Sequence, residues 1–237
     1  MALVEIEGVS KFYRTGEVQV RALSDVNLSI DEASFVSFVG PSGSGKTTIL
    51  NLIGCLDKPT KGKIFVDGDA VNAFDRRQRA KFRGTTLGFI FQAFNLFPVL
   101  TTFENVEYPL VMIKNESSSK RREMVLKMLE SVGMLDQKDK FPDQISGGQK
   151  QRVAVARALV TSPKLVLADE PTANLDKKAA LNVIHLMRHM RDEFKTTFIF
   201  STHDQGVMEE AEILYTLEDG RLIDRKVNQG ARDDSNF

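Results

Sequence analysis

The stretch "FVSFVGPSGSGKTT", Phe35 to Thr48, decides how the chain is built. Its first five residues are valine and phenylalanine around one serine, the composition of a strand. The next eight, Gly40 to Thr47, fit G-x-x-x-x-G-K-[ST], and helix periodicity takes over after Lys46. Strand, glycine loop and helix in that order make a phosphate cradle, because the loop N–H groups and the positive end of the helix dipole both face an anion. Lys46 is expected to reach the β- and γ-phosphates of a nucleotide and Thr47 to ligate Mg²⁺.

Outward from this unit, short apolar runs recur at "KIFVDG", "LGFIF", "LVLAD" (165–169), "TFIFST" and "ILYTL". Helix-period segments lie after Lys46, from Lys177 to Phe194 and after Gln205, the pattern of an α/β parallel sheet flanked by helices. The alternating "LVEIEGV" and "VRALSDVNLSI" near the N-terminus are expected to form an antiparallel piece at the sheet's edge. Between Phe97 and Val160 the pattern turns helical, which predicts a single domain over 1–226 with a core of 1–96 and 161–226 and an inserted helical subdomain over 97–160. The polar, aperiodic "KVNQGARDDSNF" predicts an unstructured tail, with 227–237 outside the domain. The entry to the insert, "FQAFNLFPVL", is too apolar for a solvated loop, and either packs between the two lobes or docks another protein.

In "KLVLADEP" an apolar strand runs into Asp169, placing a carboxylate at the sheet edge where the phosphate loop lies. Asp169 is expected to hold Mg²⁺, through water. Glu170 supplies a second carboxylate that the metal does not consume, suited to orienting or deprotonating water. A second glycine motif, "ISGGQKQR" (Ile145 to Arg152), sets Ser146, Gly147 and Gly148 where a helix-forming run begins, like another phosphate cradle.

Composition removes several classes. Lysine plus arginine and aspartate plus glutamate each total 32 in 237 residues, so net charge calls for neither nucleic acid nor an acidic lipid surface. Cys55 is the one cysteine and falls in "ILNLIGCL", an inert core thiol in a reducing compartment. The N-terminus lacks the basic flank of an export signal, and no run of eighteen apolar residues occurs, so any membrane role requires a partner. His185 and His189 have the i,i+4 spacing of a metal pair but share a polar helix face with Asn182 and Asp192 and lack a third ligand, which favours a solvated face.

Together these residues resemble the nucleotide-binding subunits of ABC transporters, over almost the whole chain. The resemblance implies a P-loop NTPase (RecA-like) core with an antiparallel β-subdomain and an inserted α-helical subdomain. "GPSGSGKTT" looks like the Walker A loop, with Gly40, Ser42, Gly43, Ser44, Gly45, Lys46, Thr47 and Thr48 on the nucleotide. "LVLADE" looks like Walker B with a catalytic glutamate. "ISGGQ" resembles the family signature, with Ser146, Gly147, Gly148 and Gln149, and with Ile145 where leucine is usual. Gln92 falls at the Q-loop position, implying metal and water contacts and relay of motion to a membrane partner. Asp176 ends a D-loop, His203 in "STHD" matches the switch histidine that contacts the γ-phosphate, and Tyr13 matches the aromatic that stacks on adenine.

The family implies ATP and Mg²⁺ as ligands, a second copy of the chain packed head to tail so that one copy's signature closes over the other's ATP, and a multi-spanning permease. Membrane contact is then through the partner, at the cytoplasmic face of the inner membrane. "GCLDKPTKG", "FRGTTLGFIFQAFNLFPVLTTFENVEYPL" and "DEPTANLD" most resemble the lipoprotein-releasing and macrolide-exporter group (LolD-like and MacB-like), with an FtsE-like cell-division ATPase as a near alternative. Signature-bearing ATPases of DNA repair need long coiled coils that the short helical insert does not provide. A phosphotransferase leaves "ISGGQ" and "STHD" without a task.

Overall fold

The computed structural model describes residues 2–16, 18–113 and 116–228. Phe35–Val39 (β3) lies inside a six-stranded sheet whose other members are Leu87–Phe91 (β6), Leu165–Asp169 (β7), Thr197–Ser201 (β8), Ile213–Glu218 (β9) and Arg221–Val227 (β10). Their order is β10-β9-β3-β8-β7-β6, all parallel except β10, which returns antiparallel to β9.

Both faces of this sheet are buried, which is why its strands read as continuous apolar runs. Side chains alternate between two cores: Phe35, Phe198, Phe200 and Val166 enter one, Val36, Phe38, Ile199 and Leu167 the other. Phe35 and Phe200 pack as tilted rings with centroids 4.9 Å apart. The helix opened by the phosphate loop, Lys46–Ile53 (α1), covers the second face with Ile49, Leu50, Leu52 and Ile53. Helices Gly147–Leu159 (α5) and Lys177–Phe194 (α6) cover the first, through residues such as Val153, Val155, Val183 and Met187. Each such side chain withdrawn from water contributes roughly 1.5–3 kcal/mol.

The antiparallel segments do not extend the edge of the main sheet, as the alternation suggested. Ala2–Thr15 (β1) and Val18–Asp31 (β2) form a separate four-stranded sheet with Lys61–Val66 (β4) and Asp69–Ala70 (β5), ordered β2-β1-β4-β5. "KIFVDG" belongs there rather than with the parallel strands. One buried face explains both facts: Val4, Ile6, Ile64 and Val66 point into the core above α1, while Lys61, Gly62 and Lys63 stay exposed.

The main sheet's antiparallel edge is instead β10, which takes Lys226 and Val227 into a strand. Asn228 continues that order, its amide donating to Glu212 O at 2.8 Å and its side chain to Ala211 O at 2.8 Å. The tail thus begins later than composition suggested, and 229–237 lie outside the described residues.

Three further helices precede α5. Arg76–Thr86 (α2) was not foreseen, although Asp75 and Gln78 form a capping box at its start. Thr102–Ile113 (α3) and Ser118–Ser131 (α4) follow. A last short helix, Gln205–Glu209 (α7), follows β8.

Candidate active site

Parallel strands deliver their C-terminal ends to one edge, and four of them supply the site. β3 feeds the loop 40–48, β7 ends in Asp169, β8 ends in Ser201 and β6 leads into Gln92; Asp169 pairs in register with Ser201 and with Phe91.

Glycine is required at both ends of the loop. Gly40 has φ +140° and a Cβ there would stand 2.1 Å from Leu217 O; Gly45 has φ +106° and its Cβ would stand 2.7 Å from Ala22 O. Inside this frame Lys46 is buried, with no carboxylate partner among the described residues; its Nζ donates to Gly40 O at 2.8 Å and Pro41 O at 2.9 Å. Ser44 Oγ is buried and unpartnered. A buried polar atom without a partner calls for an explanation, and beside a buried ammonium and the first N–H groups of α1 a phosphate provides it. Ser42 and Gly43 stay exposed, and nothing lies within 4 Å of where a Gly43 Cβ would be.

Next to the loop, Thr47 Oγ1 donates to Asp169 Oδ1 at 3.1 Å. Ser201 Oγ donates to the same oxygen at 2.7 Å and accepts the Glu170 N–H at 2.9 Å. Oxygen donors of this kind suit Mg²⁺, which takes one or two carboxylates and completes its shell with water and nucleotide phosphate.

Glu170 adopts φ +48°, the left-handed region that non-glycine residues rarely enter. In a continuing strand Asp169 and Glu170 would face opposite sides. The turn breaks that alternation, and Glu170 Oε1 meets His203 Nδ1 at 2.9 Å. A carboxylate accepts here, so Nδ1 carries the proton and Nε2 is free for another partner.

Gln92 is exposed; its main-chain carbonyl accepts from Asn174 Nδ2 at 2.9 Å. The turn after it is left-handed at Phe94 and Asn95, φ +60° and +49°, and Arg157 of α5 donates to both carbonyls. In "FQAFNLFPVL", Leu96 packs against the core, whereas Phe97 and Val99 are exposed.

Tyr13, 38% exposed, donates its hydroxyl to Asp57 Oδ2 at 2.8 Å. Burial, then the hydrogen bond and charge of Asp57, raise its pKa against a smaller opposing contact from Thr48, which places the ring beside the phosphate-loop helix.

The second cradle is built differently. Ser146 caps α5, its Oγ accepting the Gln149 N–H at 3.3 Å while its own N–H donates to Gln149 Oε1 at 2.8 Å. Added Cβ atoms at Gly147 and Gly148 would meet Leu175 at 3.4 Å and Ala179 at 3.6 Å. Asp176 caps α6, accepting the Ala179 N–H at 2.9 Å. The far end of α5 lies on β6, where a Cβ at Gly88 would come within 2.5 Å of Ala158 O. Strands β8 and β7 separate β6 from β3, about 14 Å at the usual strand spacing.

The family described as ABC transporter matches residues 23–173. The chain belongs to the ABC transporter family. It is 43% identical over 224 residues to an uncharacterized ABC transporter ATP-binding protein of Methanocaldococcus jannaschii, covering 93% of this chain and 95% of that one. It is 41% identical over 220 residues to the lipoprotein-releasing system ATP-binding protein LolD 1 of Caulobacter vibrioides, covering 93% and 94%. It is also 41% identical over 229 residues to the macrolide export ATP-binding/permease protein MacB of Hyphomonas neptunium, covering 97% of this chain but 35% of that protein. A dimeric structure of the same Methanocaldococcus cassette in a post-hydrolysis state, bound to ADP and Pi, superposes with a TM-score of 0.87 at 42% identity, covering 96% of this chain and 99% of that one.

This ABC cassette is therefore an ATP-binding ATPase with a P-loop NTPase fold. Its expected site residues fall into groups. Lys46, Thr47, Asp169, Glu170 and His203 gather at one sheet edge, with Tyr13 beside Thr48 of α1. Ser146 to Gln149 and Asp176 gather elsewhere, at the paired starts of α5 and α6. Ser201 and Asn174 were missed, because an isolated serine at a strand end and an asparagine in a loop carry no spacing signal. Cys55 is buried, which pushes its thiol up to about 11 against the pull of Arg83 and Arg79. His185 and His189 each face a different glutamate, Glu210 and Glu193.

Proposed function

We propose that two copies of this chain close head to tail around two ATP molecules and drive a multi-spanning permease of a LolD- or MacB-like system from the cytoplasmic face of the inner membrane. One observation carries the dimer: α5, which the signature begins, packs on β6, and β7 and β8 stand between β6 and the strand that feeds this chain's own phosphate loop. A helix start that carries Gly147 and Gly148 and is set apart from the chain's own phosphate loop is suited to a neighbour's phosphate. The γ-phosphate then bridges two chains and favours the closed state, and hydrolysis removes that preference.

Within each site Lys46, Ser44 and the loop N–H groups hold the phosphates. Thr47, Asp169 and Gln92 would hold Mg²⁺, which when bound offsets phosphate charge. Glu170 orients the attacking water and accepts its proton, and His203, held by Glu170 through Nδ1, donates from Nε2–H to a γ-phosphate oxygen, a contact that requires the ring to carry a proton on both nitrogens.

Tyr13 stacks on adenine. Tyr13→Ala is expected to weaken ATP binding by about 1–3 kcal/mol, the range for base–aromatic stacking. Titration with a fluorescent nucleotide at fixed Mg²⁺ measures this, and equal affinity of the two chains would return Tyr13 to a packing role.

The permease reading is supported by apolar side chains left in water. Val99 is 78% and Met112 65% exposed, with Phe97, Tyr108, Val111 and Ile113 also exposed along the Gln92 turn and α3. Phe97 and Tyr108 pack as tilted rings with centroids 4.7 Å apart, and buried Asn105 fixes the loop by donating to Phe97, Leu100 and Thr101 carbonyls. A built apolar surface of this kind suits a partner. No described helix is long and apolar enough to cross a membrane. Tagged chain is expected to leave detergent-solubilised membranes with a polytopic protein identifiable by mass spectrometry. Val99→Arg with Met112→Arg should lose that protein while keeping ATPase activity. Full retention by the double variant refutes the surface.

A further inference from the structure

Asp57 collects three donors at the edge of the site. Its Oδ1 accepts from Lys11 Nζ and from the Lys58 N–H, each at 2.7 Å, and its Oδ2 accepts from the Tyr13 hydroxyl at 2.8 Å. Lys11 also donates to Lys58 O at 2.7 Å and stands 4.8 Å from the centroid of the Tyr13 ring. The hydroxyl of Tyr13 is thus anchored and one ring face is covered by an ammonium, so a base has the opposite face to stack on.

The anchor is tied to the phosphate loop. Asp57 N–H and Leu56 N–H both donate to Asn51 O, at 3.2 Å and 2.9 Å, and Asn51 belongs to α1, the helix that Lys46 begins. Thr60, further along the same loop, accepts the Phe12 N–H at 3.1 Å and donates its own N–H to Ser10 O at 2.9 Å. Tyr13 is therefore fixed to the C-terminal end of the helix whose N-terminal end receives the phosphates. A half-exposed ring kept for packing alone has no need of its hydroxyl. A stacking platform gains from it, since a ring held in place does not have to be ordered when the base arrives.

We propose that Asp57 is a positioning residue for the nucleotide base: with Lys11 it orients Tyr13 and sets its distance from the phosphate loop. The proposal rests on the stacking assigned to Tyr13 above. Mg·ATP and Mg·tripolyphosphate, which has the phosphates without the base, separate this role from a general effect on the fold. Asp57→Ala in the full chain is expected to weaken ATP about two- to tenfold, the weight of one side chain that must now be ordered on binding. Its affinity for tripolyphosphate should not change. Asp57→Asn retains an acceptor for the hydroxyl and should recover most of the loss, and Asp57→Ala added to Tyr13→Ala should cost nothing more.

If Asp57→Ala fails to fold, Lys11→Met carries the same comparison, because it removes the ion pair and the ammonium on the ring face. Unchanged ATP affinity in Asp57→Ala, beside a clear loss in Tyr13→Ala, overturns the positioning role and leaves the stacking intact. Equal losses for ATP and tripolyphosphate overturn it in favour of a displaced loop. A Tyr13→Ala chain that binds ATP like the native one removes the stacking, and the positioning role with it.

Discussion

Glu170→Gln is expected to bind ATP normally and to hydrolyse it at least about a hundredfold more slowly, since a general base contributes roughly 10²–10⁴ in rate. The substitution keeps the size of the side chain and leaves an oxygen to accept from His203 Nδ1, now 2.9 Å from Oε1. The backbone bond from Glu170 N–H to Ser201 Oγ does not involve the side chain, and Lys46, Thr47 and Asp169 are untouched. What is lost is the charge and basicity needed to take a proton from water. With hydrolysis blocked, ATP remains across the interface and the dimer should persist on size exclusion with ATP and Mg²⁺, where the native chain dissociates. Phosphate release near the native rate, or a variant as monomeric as the native chain, shows that another group activates the water.

The second large effect tests where the signature acts. Lys46→Ala removes the buried ammonium of the phosphate loop. Gly148→Asp puts a carboxylate at the start of α5, where the helix dipole tolerates it and an added Cβ meets Ala179 at an ordinary 3.6 Å. Folding should survive in both variants, while the carboxylate repels an incoming γ-phosphate. Each homodimer is expected to be inactive.

A mixed dimer pairs the intact loop of the Gly148→Asp chain with the intact signature of the Lys46→Ala chain, giving one whole site and one doubly damaged site. Mixing should therefore restore ATP occlusion and part of the hydrolysis. Energy transfer between differently labelled chains reports the mixed dimers in the same samples. Mixed dimers that form and yet neither occlude nor hydrolyse ATP overturn the composite site, as does full activity in monomeric Gly148→Asp.

Several parts of the chain were legible because their physics is local. "FVSFVGPSGSGKTT" marks a strand, a loop that needs positive φ and a helix within fourteen residues, and Gly40 and Gly45 do hold conformations closed to other residues. "LVLAD" and "TFIFS" mark strands buried on both faces, and Lys177–Phe194 marks a helix by its period.

Other features depend on which strands lie side by side. Sequence alternation identified β1 and β2 as antiparallel but could not say that β4 joins them, because pairing is settled by which core a face enters. Asp169 and Glu170 are adjacent in sequence and would diverge in a regular strand; the left-handed turn at Glu170 keeps both at the site, and nothing in "ADEP" announces it. Ser201 binds both because β8 lies beside β7 in register, Asp169 opposite Ser201. Asp57 reaches Tyr13 across 44 positions of sequence because the loop after α1 folds back against β1. Residue type and spacing thus determined by themselves the phosphate loop, the acids and the strand–helix alternation, since each depends on contacts within one turn or one strand. The tertiary structure alone decided the grouping of the site, because strand order and register bring together residues that no local period connects.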